Sequence, residues 1–483
     1  MPTKKINSNQ IKRRDFFKSS IVASGIFIVP RHVLGGKGYT APSDQLGLAS
    51  VGTGGKGSSD IINASVNGRE RIISLCDVDS SGSNQISMVT KKFPNAGFYD
   101  NFKMMLDKEK DIDAITISSP DHTHASAAVY AMERDIHVYV QKPLTHNIYE
   151  ARLLTKMARD KKIVSQMGNQ GASNPDQLQI QKWINDLSIG AISKVQVWSN
   201  RPVWPQGGKM PLPNPEAKPK TLNWDQWLGP SKETPFIPKM HPFNWRGWWN
   251  FGTGALGDMG CHLIDIPFKA LGLKYPTDVE CSVGSNYEQM WTANYFPEGC
   301  PPSSSVSLNF ETTEKNNVPL QMTWSDGGIK PFHPDLIPAD VPIEPNGVII
   351  IGEKGVITCD TYGMDPKMYI KGQKVILGEK IKNNEPEWGH QRKWVDACKA
   401  GFNSSEHLSL TSSFDYSGPL TETVLMGNIA IRSYMLRKEG VDGKPQFIGR
   451  KKLEWDGNAM KIKNLEAANQ FVGRDYRKGW ELT

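Results

Sequence analysis

Apolar positions along the chain follow two rhythms. Between residues 46 and 168, short apolar runs alternate with stretches of helical spacing. Leu46–Gly52 is an apolar run ending in glycines, Gly57–Val66 reads as a helix, and Arg71–Asp77 is a second strand. Ile112–Ser118, His137–Val140 and Ile163–Met167 read as further strands, with helices over His122–Arg134 and Asn147–Asp160. Short strands alternating with helices predict an α/β fold with a doubly wound parallel sheet. After residue 169 the rhythm changes. Residues 199–250 are rich in Pro, Gly and Trp and predict long ordered loops; eight of the 14 Trp lie between Trp183 and Trp249. Strand-like runs follow at Val306–Phe310, Leu320–Trp324 and Gly347–Gly352, with helices expected over Gly389–Ala400 and Pro419–Leu436. This half predicts an α+β domain holding a mainly antiparallel sheet. The expected division is a leader over 1–36, a first domain over 44–168 and a second over 169–483.

Composition changes little in this picture. At 483 residues, 38% hydrophobic and 22% charged, the chain is neither disordered, collagen-like nor a disulfide miniprotein. The net charge of +7 is more informative. Residues 1–36 carry seven Lys and Arg against one Asp, which leaves +1 for everything else. The excess belongs to a leader and argues against a nucleic-acid groove. Within it, Lys12-Arg13-Arg14-Asp15-Phe16-Phe17-Lys18 precedes an apolar run of about a dozen residues, short of the ~20 that span a bilayer. The adjacent arginines followed by Phe-Phe-Lys resemble a twin-arginine signal, so a periplasmic location is expected, with a retained membrane tether as the alternative. No other run is long enough for an integral membrane domain. The six Cys form no CxxC pair, so neither a zinc ribbon nor a redox dithiol is expected.

Chemistry concentrates at three places. Gly52-Thr53-Gly54-Gly55-Lys56-Gly57 is a G-x-G-x-x-G between a predicted strand and a predicted helix, the context of a dinucleotide fingerprint. Gly52 permits the turn, Gly54 the approach of a pyrophosphate, and Gly57 close helix–strand packing. Thr53 and Lys56 join them as candidate cofactor contacts. Asp77, twenty residues after Gly57, stands where a carboxylate reads a ribose 2′-hydroxyl. No Arg or Lys follows within Val78–Asn84, so NAD is favoured over NADP. The second place is Gln141-Lys142-Pro143, at a strand end where the ligand crevice of a doubly wound sheet lies. The third is Asp258 and His262, four residues apart on one helix face. There a carboxylate can hold an imidazole and raise its basicity, which suits a general base. A metal held by Asp258, His262 and Asp265 competes with that reading, but no further ligands accompany it.

The glycine loop, Gln-Lys-Pro after a strand and Asp-x-x-x-His opening a later helix resemble the Gfo/Idh/MocA oxidoreductases over roughly residues 44–440. The resemblance implies a Rossmann domain followed by an α/β domain with a large open sheet that is also the usual surface for homo-oligomers. It implies that Lys142 lies between nicotinamide and the reacting hydroxyl, and that His262 accepts the proton beside Asp258. It also implies that Ser118, Ser119 and His124 contact the ribose side of the cofactor and that Asn169 lies beside the nicotinamide. Gln141 departs from the family's usual Glu. It keeps a hydrogen-bonding group and loses a negative charge beside Lys142. The Trp-rich loops fit a sugar, since aromatic faces stack on the C–H faces of pyranose rings. The candidates there are Trp204, Trp245, Arg246 and Trp249, with Asp258 and His262. The expected activity is NAD-dependent oxidation of a hydroxyl of a sugar or glycoside, with C3 a candidate position. The competing readings are a glycosidase using bound NAD transiently and a non-catalytic sugar-binding protein. No metal is expected.

Overall fold

A computed structural model of the chain describes residues 44–482, apart from Asp442 and the side chain of Asn84. The basic leader over residues 1–36 lies outside them. Six parallel strands, β1 (Gly47–Val51), β2 (Arg71–Cys76), β3 (Gly97–Tyr99), β4 (Ala114–Ile117), β5 (His137–Val140) and β6 (Ser165–Met167), pair in the order 3-2-1-4-5-6. Helices α1 (Lys56–Ala64), α2 (Asn84–Lys92), α3 (Phe102–Lys108), α4 (His124–Met132) and α5 (Ile148–Asp160) connect them. Every residue of β1 and β4 is buried, as a parallel sheet covered on both faces requires.

Register then places the site. Val51 pairs with Cys76 and with Ile117, Ile117 with Val140, and Val140 with Met167. The strand ends are level. The residues just beyond them, Gly52, Asp77, Ser118, Gln141 and Gly168, therefore share one edge.

Beyond β6 come helices α6 (Asp176–Asn185), α7 (Trp224–Leu228), α8 (Gly254–Leu263) and α9 (Asp265–Ala270). The second sheet has ten strands: β7 (Ile192–Trp198), β8 (Asp278–Val283), β9 (Ser304–Phe310), β10 (Leu320–Ser325), β11 (Gly347–Gly352), β12 (Gly355–Cys359), β13 (Lys367–Ile370), β14 (Ile376–Leu377), β17 (Leu453–Asp456) and β18 (Lys461–Ile462). Their order is 14-13-12-11-7-10-9-8-17-18, with β7 and β10 parallel and the other neighbours antiparallel. A small hairpin, β15 (Arg437–Glu439) and β16 (Pro445–Phe447), stands apart. Along β9 the pattern alternates: Ser304, Val306, Leu308 and Phe310 are buried, while Ser305, Ser307 and Asn309 are half-buried. One face of this sheet packs inward and the other is partly open.

Packing joins the stretches on either side of residue 168. Three helices lie between β14 and β15: α10 (His390–Ala400), α11 (Ser405–Leu408) and α12 (Phe414–Ser433). Trp394 and Val395 of α10 and Leu410 share a buried cluster with Leu48, Ile61, Leu75 and Tyr139 of the first sheet and its helices. Apolar residues from positions 394–410 thus cover a face that β1–β6 cannot bury alone. Residues 46–482 form one unit containing both sheets.

Candidate active site

At Gly52, φ is +74° and a Cβ would lie 2.6 Å from the Ser119 amide; at Gly57 it would lie 1.8 Å from the Gly52 carbonyl oxygen. Neither position admits a side chain. Gly54 is different. A Cβ there would meet nothing closer than Asp77 Oδ2 at 3.4 Å, so the space beside the loop is open. Helix α1 starts at Lys56 with no side-chain cap. An open glycine beside an uncapped helix N-terminus suits a pyrophosphate, which the amide dipoles attract. Asp77 accepts from the Gly54 amide at 2.9 Å and the Asp79 amide at 3.1 Å. Burial nevertheless raises its pKa above the usual carboxylate value. It stands where a ribose hydroxyl would arrive. The loop therefore fits a dinucleotide.

Two members of the loop are engaged elsewhere. Thr53 donates to the Cys76 carbonyl at 3.2 Å, so its hydroxyl ties β1 to β2 and does not face a cofactor. Lys56 Nζ lies 2.5 Å from Glu387 Oε1 and 3.2 Å from Asp60 Oδ1, a structural ion pair in place of the expected cofactor contact. Glu387 and Trp388 both hold positive φ, 46° and 55°.

Asp60 is the hub behind this loop. Its Oδ2 accepts from Ser118 Oγ and Gln141 Nε2, both at 2.8 Å, and its Oδ1 accepts from Gln391 Nε2 at 2.9 Å. This explains Gln141. A glutamate there would set a second carboxylate against Asp60 at hydrogen-bond distance, where Lys56 is already shared with Glu387. The amide donates to Asp60 and accepts from the Lys142 amide at 3.3 Å.

The negative charge that Gln141 lacks comes from Asp258. Lys142 Nζ donates to the Asp258 carbonyl oxygen at 2.5 Å and to its Oδ1 at 3.0 Å. Arg246 Nε lies 3.4 Å from Oδ1 and Arg201 Nε 3.6 Å from Oδ2. Lys142 and the two guanidiniums hold the Asp258 carboxyl down at about 2 against the cost of burial. The expected Asp258–His262 hydrogen bond is not made. Helical spacing puts the two on one face, but the cations draw the carboxylate away. His262 is 5% exposed and packs edge-on to Tyr362, with ring centroids 5.3 Å apart. Its Nδ1 is buried with no hydrogen-bond partner among the described residues. Burial and then the Lys142 ammonium push the imidazole well below its ordinary pKa, so it is uncharged at neutral pH.

The other predicted residues fall into two groups. Ser118 supports Asp60, and Ser119 accepts from Thr123 at 2.7 Å beside the loop. Asn169 is fully buried, takes the Ser412 hydroxyl on Oδ1 and leaves Nδ2 without a partner among the described residues. That orphaned donor beside the edge fits a carboxamide. His124 does not contact the cofactor space through its ring. Nδ1 faces the Pro143 carbonyl at 2.9 Å and Nε2 the Ser119 carbonyl at 2.8 Å, which fixes the loop carrying Lys142. Trp204, Trp245 and Trp249 are 5–6% exposed, so none offers a face to a ring. Trp249 is in the main core and Trp245 in a cluster with Trp224, Trp227 and Trp248. Of the four loop candidates only Arg246 reaches the site. Arg201, Asp60, Glu387 and Tyr362 were not among the sequence candidates. A Lys56–Asp60 pair at helical i, i+4 spacing was the one local signal for any of them. Among the described residues no three His, Cys, Asp or Glu side chains converge as a metal site, and no helix is long and apolar enough to cross a membrane.

The sheet order, the open glycine loop and the level strand ends define a dinucleotide-binding Rossmann protein with a second α/β domain. Comparison with known proteins carries this further. Residues 46–169 match the model of the GFO/IDH/MocA oxidoreductase family, NAD-binding Rossmann fold, and residues 180–290 match that family's C-terminal α/β domain. Both matched stretches are thus similar to models of the one Gfo/Idh/MocA oxidoreductase family, in the same order along the chain. It is 26% identical over 164 residues to the levoglucosan dehydrogenase of Pseudarthrobacter phenanthrenivorans, a match covering 33% of each chain. It is 23% identical over 208 residues to scyllo-inositol 2-dehydrogenase (NADP(+)) of Bacillus subtilis, covering 43% of this chain and 48% of that one. These matches span about a third and about half of the curated relatives' lengths. In fold it is similar to UDP-N-acetylglucosamine 3-dehydrogenase from Acidithiobacillus ferrooxidans, with a TM-score of 0.51 at 14% identity over 81% of this chain and 99% of that one.

Proposed function

We propose that the protein oxidises a hydroxyl of a sugar or glycoside to a ketone, with NAD as hydride acceptor. The observation that carries this reading is the meeting of the Lys142 ammonium, the Asp258 carboxylate and the uncharged His262 imidazole near the edge that holds the glycine loop. NAD, when bound, supplies the two-electron acceptor. The chain's own residues move the proton and the charge. His262 takes the hydroxyl proton on a ring nitrogen, a task for which a neutral, unpartnered imidazole is ready. Lys142, fixed by two oxygens of Asp258, donates to the substrate oxygen and stabilises charge on it as the carbonyl forms. Asp258 positions Lys142.

Asp77 and Asp79 at the end of β2 favour NAD over NADP, because a 2′-phosphate would meet carboxylates. The carbon oxidised is proposed as C3, where a ketone acidifies the neighbouring C–H. The twin-arginine-type leader directs the folded protein to the periplasm. Free NAD is not expected there, so the cofactor is tightly held and native protein contains nicotinamide. The half-open face of the ten-stranded sheet is the proposed surface for self-association, which light scattering tests.

The decisive experiment follows reduced-nicotinamide absorbance when purified protein and NAD meet a panel of sugars and methyl glycosides. The expected result is growth of the band with at least one of them, lost in Lys142→Ala and His262→Ala. No reduction with any member removes the reading.

A further inference from the structure

Three cations surround Asp258. Arg201, Arg246 and Lys142 have no other carboxylate within 4.0 Å among the described residues. Their side chains are 28%, 24% and 16% exposed, so closing the site over a substrate would strip water from an excess of positive charge.

The geometry of the two arginines differs from that of a satisfied structural pair in the same molecule. Arg152 grips Glu422 with both arms, Nε and Nη2, each at 2.7 Å. Arg246 and Arg201 offer Asp258 only Nε, at 3.4 and 3.6 Å, beyond the 2.7–2.9 Å of a good charge-assisted bond. Arg246 Nη1 donates to the Phe243 carbonyl at 3.0 Å and Arg201 Nη1 to Asn200 Oδ1 at 2.6 Å. Neither Nη2 makes a hydrogen bond to the described residues. The forks are nonetheless held in place. The Arg246 guanidinium lies 4.3 Å from the Trp245 ring centroid and 4.6 Å from that of Phe243. Arg201 stands just past β7, and its fork is held through the Nη1 bond to Asn200 Oδ1. A dinucleotide pyrophosphate does not account for them. Its cradle is at the end of β1, and Lys142 follows β5, two strands or about 10 Å away along the edge.

Resting on the dehydrogenase reading above, we infer that the substrate is an anionic sugar, a ring bearing a carboxylate, sulfate or phosphate oxyanion that Arg201 and Arg246 grip while its reacting hydroxyl faces Lys142 and His262. Planar guanidinium forks suit such oxyanions, and a neutral sugar would leave both with only their long contacts to Asp258.

The test uses NAD-loaded protein and matched rings: methyl glucoside, methyl glucuronide, glucose 6-sulfate and glucose 6-phosphate, with the galacto and manno counterparts. Binding is read by tryptophan fluorescence and turnover by reduced-nicotinamide absorbance. At least one anionic ring should bind about tenfold or more tightly than its neutral partner, with the advantage shrinking in high salt. R201Q and R246Q should each erase most of that advantage, while thermal unfolding midpoint and NAD affinity match wild type, which separates recognition from misfolding. The carboxylate, sulfate and phosphate arms identify the oxyanion. Neutral rings bound and oxidised as well as every anionic partner overturn the inference and leave the dehydrogenase reading intact. Failure of every anionic ring to bind more tightly than its neutral partner also overturns it. Anionic rings gripped through both arginines with no nicotinamide reduced uphold the inference and overturn the dehydrogenase reading.

Discussion

Two carboxylates near the site, Asp60 buried and Asp258 half-buried, differ in their surroundings. Asp60, on the glycine-loop side, is saturated: Ser118, Gln141, Gln391 and Lys56 occupy both oxygens at 2.8–3.2 Å. Asp258, on the far side, has one short partner in Lys142 and two long ones in Arg201 and Arg246. Beside it His262 has an orphaned Nδ1. A saturated network holds one geometry and has nothing left to offer a ligand. An unsaturated one keeps donors and acceptors in reserve. The difference assigns the first side to support and the second to chemistry and recognition.

The comparison predicts a graded set of effects. The largest belongs to the unsaturated side. Lys142→Ala and His262→Ala should each cut kcat/KM by about 10³-fold, roughly 4 kcal/mol, with NAD affinity by fluorescence titration nearly unchanged. A loss of NAD binding in either would place that residue with the support. On the saturated side, Gln141→Glu should lower folding stability at pH 7.5 by about 3 kcal/mol, read by urea denaturation. The new carboxyl would have a raised folded pKa. Its penalty is therefore full above that pKa and relieved as pH falls toward the ordinary value near 4. Equal stability of wild type and variant at pH 7.5 would break the view of Asp60 as a charged hub. Trp204→Phe is milder. Trp204 lies 5.8 Å from the Arg246 guanidinium while Trp245 and Phe243 are closer, so about 1 kcal/mol of stability should be lost and little turnover. A large fall in KM-limited rate without loss of stability would restore a direct substrate role to that ring. The smallest effect is one of pH. Because His262 is held well below its ordinary pKa, kcat/KM should change less than about twofold between pH 8 and 6.5. Asp258, at about 2, stays charged there, and its contribution to stability is complete above pH ~4 and lost as pH falls toward 2. A histidine-like limb near 6.5 would show that His262 is not the buried base described above.

The elements most legible in the sequence are those with local causes. The His137–Val140 strand runs between the same residues in the structure, because an apolar run between turn residues is enough to define a parallel strand. The glycine loop was legible because backbone geometry excludes side chains at Gly52 and Gly57. Lys142 and Asp258 could be singled out one at a time, but not their bond, which joins positions 116 residues apart. Gln391–Asp60 and Lys56–Glu387 each span 331 residues, and no periodicity links such positions. The tryptophans misled for a related reason. A dense run of aromatics reads equally as a pocket wall or as the core of a long loop, and only burial separates the two.

Arg201 and Arg246 both belong to one uninterrupted stretch, residues 199–250, that leaves the second sheet at the end of β7. Lys142 and the dinucleotide loop come from the first sheet, and Asp258 and His262 from a helix that starts after that stretch ends. Recognition and oxidation are therefore carried by separate stretches of the chain. Exchanging a single contiguous cassette would retune which molecule is recognised without rewriting the residues that carry out the oxidation, an economical route to divergence and a natural unit for grafting.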